Sequence, residues 1–167
     1  MCFQSTCGTG FDTPAQMWYP LPKVRSIKTM SFRQNESTMA NRYIDWFRQA
    51  EADLRHARNA QDGDYEWSCF AAQQAAEKAL KALFQRLSMD AWGHTLTALI
   101  GNLPAAAAPP SETLVNYARM LDKHYIPTRY PNGFASGAPT DFYTEQEARE
   151  AIHHAEAILA FCGDQIG

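Results

Sequence analysis

The stretch "CFAAQQAAEKALKALFQRL", residues 69–87, decides the fold class. Cys69, Ala72, Ala76, Leu80, Leu83 and Leu87 recur at intervals of three or four, so they fall on one side of an α-helix. Gln74, Lys78 and Lys81 form a separate polar row, and Glu77 precedes Lys81 by one turn, a spacing at which opposite charges pair. The row reads as a solvated lysine face whose two ammonium groups could also meet phosphates. An amphipathic helix of this length must bury its apolar side against other helices.

The flanking sequence supplies those helices. Tyr43, Phe47, Ala50, Leu54 and Ala57 make one apolar stripe before the break at Asp62-Gly63-Asp64, where Asp64 is placed to cap the next helix. Leu96, Leu99, Ile100 and Leu103 predict a short helix closed by Pro104. Ser111 can cap a fourth helix with a stripe of Leu114, Tyr117 or Ala118, Leu121 and Tyr125, ended by Pro127. Thr144-Glu145-Gln146-Glu147 matches a capping box, ahead of Ala148, Ile152, Ala155, Leu159 and Cys162, with Gly163 as the stop. No alternating strand pattern of useful length is present. The expected fold is all-α, an up-and-down bundle of four long helices plus one short one, occupying residues 40–167.

Residues 1–39 differ in kind. They are rich in Ser, Thr, Gly and Pro, lack a period, and carry +2 (four Lys/Arg against two Asp/Glu), whereas residues 40–167 carry −5 (eleven against sixteen). This segment reads as a disordered or non-native extension, with Met39 a natural beginning. Gly8-Thr9-Gly10 has neither a preceding strand nor a P-loop lysine, so it is no nucleotide loop.

A net charge of −3 over 167 residues gives no global field for nucleic acid, so any such contact must be local. The apolar runs are too short and too often interrupted by charge to cross a bilayer. Cys2, Cys7, Cys69 and Cys162 form neither a C-x-x-C pair nor a zinc-like cluster, which fits a reduced, cytoplasmic protein. Neither a metal site nor a cofactor motif is read. His153 and His154 point about 100° apart on a helix and belong to a solvated surface. Trp46, Trp67 and Trp92 read as core or dimer-contact aromatics, and His94 as a capping or packing residue near the short helix.

The candidate site is "LDKHYIPTRYPNGFASG", residues 121–137, where a helix stop gathers His124, Tyr125, Arg129 and Tyr130. Arg119 and His124 are five positions apart and diverge by about 140° on a straight helix, so they converge on one substrate only across a twofold axis. A histidine at a helix C-terminus is expected to favour the imidazolium.

Together, "AAQQAAEKALKALF", "GHTLTALI" and "YARMLDKHYIPTRYPNGFASGAPTDFYTEQEAREAI" resemble the HEPN domain family across about residues 40–165. The resemblance implies a helical bundle, a homodimer and a composite site. Ribonucleases of the family carry an Arg and a His four to six residues apart; Arg119 and His124 match, although Met120 stands where a polar residue is usual. By that likeness Arg119 and His124 are the catalytic candidates of a metal-independent endoribonuclease. Lys78, Lys81, Arg129 and Tyr130 are candidates to bind RNA or nucleotide. Many bacterial members pair with a minimal nucleotidyltransferase as toxin and antitoxin, and Tyr125 or Tyr130 would be the acceptor if that partner attaches AMP. The alternative is a non-catalytic nucleotide-binding or dimerisation module.

Overall fold

Alanine sets the spacing of the bundle. The computed structural model describes residues 41–167; the expectations for residues 1–39 lie outside the described residues. Helix α1 spans Tyr43–Ala60, α2 Tyr65–Arg86, α3 Leu96–Gly101, α4 Glu112–Asp122 and α5 Glu145–Ile166, with short 3-10 turns at Pro131–Gly133 and Pro139–Asp141. The described residues contain helices and no strand, as the periodicity required.

Helix α2 is the centre, packed most extensively against α1 and α5. Fourteen of its 22 residues are buried, so it is enclosed on more than one side. Ala71, Ala72, Ala75, Ala76, Ala79 and Ala82 make that enclosure feasible, because their small side chains let neighbouring backbones come close. Leu80 and Leu83 then fill the space between helices, each burial worth about 1.5–3 kcal/mol. The stripes of α1 and α5 close the core with Ala50, Leu54 and Ala57 on one side and Ala148, Ile152, Ala155, Ile158 and Leu159 on the other.

Three local expectations change. Gly163 does not stop α5, which runs on to Ile166. A Cβ there would lie 3.2 Å from Phe47 Cζ, so the glycine marks the close crossing of α5 over α1. Asp64 occupies the position before α2, but its side chain makes no capping hydrogen bond. Helix α4 ends at Asp122, five residues short of Pro127. There the Asp122 carboxylate accepts from the Leu96 and Thr97 backbone N–H groups and from the Thr97 hydroxyl, capping α3. The caps of α4 and α5 are as expected: Ser111 Oγ accepts from Leu114 N at 3.2 Å, and Thr144 and Glu147 form the reciprocal box. In α4 it is Ala118, fully buried, and not Tyr117 that completes the stripe.

Because residues 41–167 bury a continuous core of their own, a chain beginning at Met39 should keep the helicity of the full chain and melt within a few degrees of it by circular dichroism. A large fall in melting temperature would show that residues 1–38 belong to the fold.

Candidate functional site

A second stripe on α2 builds the site. Trp67, Phe70, Gln74, Glu77 and Lys81 recur at three- and four-residue spacing, apart from the core stripe. The turn after α4 packs against its aromatic end. From Lys123 to Arg129 the chain tightens into i to i−3 hydrogen bonds, including His124 N to Leu121 O at 2.9 Å and Arg129 N to Ile126 O at 3.1 Å. Buried Thr128 fixes the turn by donating from Oγ1 to His124 O at 2.6 Å.

This turn sends its side chains two ways. Tyr125 faces α2, its ring 6.5 Å from Phe70. Arg129 follows it: Nε and Nη2 donate to Tyr125 O at 3.0 and 2.6 Å, and the guanidinium lies 4.5 Å from the Phe70 ring, 4.7 Å from Tyr125 and 5.1 Å from Tyr130. Three rings and a carbonyl therefore hold one cation in place and leave its remaining N–H groups for a ligand. Tyr130 is 48% exposed, as is Trp67, so flat rings are open to solvent beside the fixed cation.

His124 takes the other direction. Its ring lies 5.6 Å from Tyr143, and its Nδ1 is buried with no hydrogen-bond partner, the one such side-chain atom among the described residues. Burial drives the imidazole from 6.5 down to about 4; Glu147 opposes that shift, while His154 and Lys123 add to it. The expected imidazolium is thus replaced by a neutral ring, because desolvation outweighs the helix-end field. Burial also pushes the Tyr143 phenol up to about 12. Arg119 is exposed on α4, its Nη1 donating to Asn116 Oδ1 at 2.5 Å.

The lysines are not the open row the sequence suggested. Both are half-buried: Lys78 pairs with Asp53 of α1, and Lys81 Nζ lies 2.9 Å from Glu77 Oε1 and 5.9 Å from the Trp46 ring centre. Phosphate binding by either would first have to break an ion pair.

Sequence reasoning passed over Glu77 as a site residue and took His94 for packing. The Glu77 side chain is only 5% exposed, yet it is charged. Oε1 also faces His94 Nδ1 at 3.0 Å, while Oε2 accepts from Gln73 and Gln74 at 3.3 Å each. Burial alone would raise the Glu77 carboxyl, but hydrogen bonds and charge from Lys81 and then His94 hold it below the usual range. Gln73 Nε2 donates to His94 O at 3.1 Å, and Gly93, at φ +92, lets the loop turn sharply enough to bring His94 there. The His94 ring stacks on Tyr125 with centres 4.9 Å apart and planes 14° from parallel. A carboxylate inside an alanine-rich helix, one turn from its own lysine, was the available signal. Trp67 and Trp92 also depart from a core reading; Trp92 is 89% exposed.

Elsewhere, His153 and His154 lie against Tyr117, which stacks on His154 at 4.3 Å. No group of three or more potential metal ligands occurs among the described residues, and no described helix is long and apolar enough to cross a membrane. Cys69 and Cys162 are buried thiols; burial raises both, Cys69 to about 12, which removes them from nucleophilic chemistry. Two concavities, one beside Trp46 and Met89 and one between α1 and α5 near Arg58 and Glu156, lie on other parts of the surface and contain none of the predicted site residues.

Comparison with known proteins agrees over the same span. The HEPN domain family model matches residues 43–165. The crystal structure of TT1696 from Thermus thermophilus is 48% identical, covers 75% of this chain and 98% of its own, and superposes with a TM-score of 0.73. An archaeal HEPN homologue, ST0689, is 42% identical with the same coverage and a TM-score of 0.62. An HEPN domain protein from Thermotoga maritima is 37% identical over 72% of this chain and 95% of its own, with a TM-score of 0.58. No curated protein matches the chain.

Two stability effects follow from this geometry. Glu77→Ala would leave the half-buried Lys81 ammonium without its carboxylate and take one of two acceptors from each of two glutamine amides; it should cost about 3 kcal/mol in denaturant unfolding. His124 works through pH. The unfolded ring binds a proton below about 6.5 and the folded ring only near 4, so stability is full above 6.5 and falls as pH drops toward 4. His124→Phe should flatten the melting temperature across that window, and an unchanged slope would place the titration elsewhere.

Proposed function

The chain belongs to the HEPN domain family, and on that premise we propose that it binds RNA or a nucleotide through the turn after α4, as one half of a homodimer. We place it as the toxin-type partner of a minimal nucleotidyltransferase. The observation that carries this reading is Arg129, a cation fixed between Phe70, Tyr125 and Tyr130 with donors to spare. A positioned guanidinium beside open rings suits a phosphate with an attached base: the cation takes the charge and a ring takes the base.

Cleavage would use the RNA's own 2′-hydroxyl. The neutral His124 imidazole takes its proton, the 2′-oxygen bonds to the adjacent phosphorus, and the bond from phosphorus to the 5′-oxygen breaks. The leaving oxygen gains a proton from water, and the resulting hydroxide recovers the one on His124. Arg119 and Arg129 stabilise the extra charge on phosphorus. Arg119 and His124 come from α4 and the turn that follows it, and two copies brought together across a twofold axis supply both residue types to one cleft.

The burial of His124 and the apolar Met120 beside Arg119 favour a second reading, a module that binds nucleotide without cleaving it. In either reading Tyr130 is the more open acceptor for a partner that attaches AMP, since the Tyr125 ring is packed against His94 and near Arg129.

Incubating the pure protein with labelled RNA in chelator decides between the two. Cleavage abolished by Arg119→Ala and by His124→Ala, in variants that still fold, is the ribonuclease result. Intact RNA with nucleotide-dependent thermal stabilisation, weakened by about 1–3 kcal/mol in Arg129→Ala, is the binding-module result. Neither cleavage nor stabilisation would remove the RNA and nucleotide reading altogether.

A further inference from the structure

We propose that the seam between α4 and α5 is an acid-released latch: when His124 takes up a proton, the turn after α4 comes away from α5 while the packing of α1, α2 and α5 holds. The inference deepens the binding reading by naming a condition that takes the site apart. Its test needs no ligand, so the two fail separately.

The geometry begins at the orphaned nitrogen. His124 Nδ1 is buried without a hydrogen-bond partner. A neutral ring leaves one donor or acceptor unmet there; an imidazolium is a donor at both nitrogens and adds a charge, so a protonated ring left in place costs far more. It gains water by leaving its place against Tyr143, 5.6 Å away. The turn depends on that same residue. His124 N donates to Leu121 O at 2.9 Å, and buried Thr128 is tied to His124 O at 2.6 Å, so both inward anchors of the turn pass through His124.

The surrounding charges do not hold the cation in. On α5, Glu147 favours the imidazolium, but its Oε2 already accepts from Thr144 N at 2.9 Å and Thr144 Oγ1 at 2.8 Å. His154 of α5 and neighbouring Lys123 act against the imidazolium. His154 in turn stacks on Tyr117 of α4 at 4.3 Å, beside His153, whose Nε2 lies 3.3 Å from the Tyr117 hydroxyl. Glu150 is the acidic neighbour of His154. Beyond Tyr143 lie Glu66 and Cys69 of α2. His124, His153 and His154 thus line one seam, the last two with ring centres 6.0 Å apart, and each proton added there makes the next harder to hold.

Helix α4 is the element that can give. It buries three of its 11 residues, the last being Leu121, whereas α2 buries fourteen of 22. Local opening therefore starts at the end of α4 and leaves the centre of the bundle packed. Burial holds the closed ring near 4 against 6.5 in water, so opening gains as pH falls below 6.5. By pH 5.0 the opening equilibrium should exceed its value at pH 7.5 by roughly 30-fold.

Hydrogen exchange of the full chain at pH 7.5 and pH 5.0, corrected for the intrinsic pH dependence of amide exchange, tests the latch. Protection of the amides between Leu121 and Arg129 should fall by roughly 30-fold at pH 5.0, while those of α2 keep theirs. His124→Phe fills the space without titrating and should abolish the difference. His154→Gln removes a positive neighbour and should lessen it. Imidazole NMR of the wild type decides the question even where the phenylalanine variant does not fold: the His124 signals must move in the window where protection is lost. Equal protection at both pH values, a loss shared equally by α2, or a loss that persists in His124→Phe overturns the latch. So does a His124 ring that titrates while those amides stay protected, because the ring then moves alone.

Discussion

A negative charge buried on the central helix organises the functional face. Because α2 is enclosed by α1 and α5, Glu77 cannot reach bulk water and must be satisfied by protein groups. Lys81 supplies the charge, Gln73 and Gln74 supply amides, and His94 closes the set from a loop seventeen residues away. That last bond sets the loop after α2 against the turn after α4, where His94 stacks on Tyr125. Arg129 is held in turn by the Tyr125 carbonyl and ring. One carboxylate thus connects the core to the only cation of the turn that three aromatic rings surround. A buried ion pair of this kind contributes little net stability compared with apolar packing, which makes specifying the geometry its more valuable effect here.

The bundle was legible in the sequence because burial repeats. A residue such as Ala72 or Leu80 is buried for the same reason as its neighbours three and four positions away, and the period reveals them all. The capping box at Thr144 was equally plain, since both partners lie within one turn. The end of α4 was not, because the backbone tightens into i to i−3 turns at Lys123, ahead of the proline that reads as the stop. The Asp122 carboxylate there caps α3, a partner 26 and 25 residues away that no local spacing announces. Gly163 misled in a similar way: as punctuation it looks like a stop, but the reason for a missing side chain is Phe47 on another helix.

At the site, the turn itself was visible as an unusual density of rings and charges, and in the structure the Arg129 guanidinium lies 5.1 Å from the Tyr130 ring. The charge state of His124 was not visible. Sequence puts it near a helix end, where a field favours the cation, but only the packed structure shows that Tyr143 and its surroundings exclude the water that a cation needs. The two lysines fail as an open row for a related reason. Spacing places them on a polar face, yet Asp53 belongs to a different helix and Glu77 is buried, so both charges are neutralised within the fold.

The central claim is that ligand meets this protein where α2, the loop carrying His94 and the turn after α4 come together. Photo-crosslinking a short RNA that contains 4-thiouridine, followed by mass spectrometry of the attached peptides, tests it most directly. The account predicts adducts on Tyr130, Trp67 or Phe70, lost when unlabelled RNA competes. Adducts confined to the surface between α1 and α5, around Arg55, Arg58 and Asp164, would contradict it and move the binding site to the other side of the bundle.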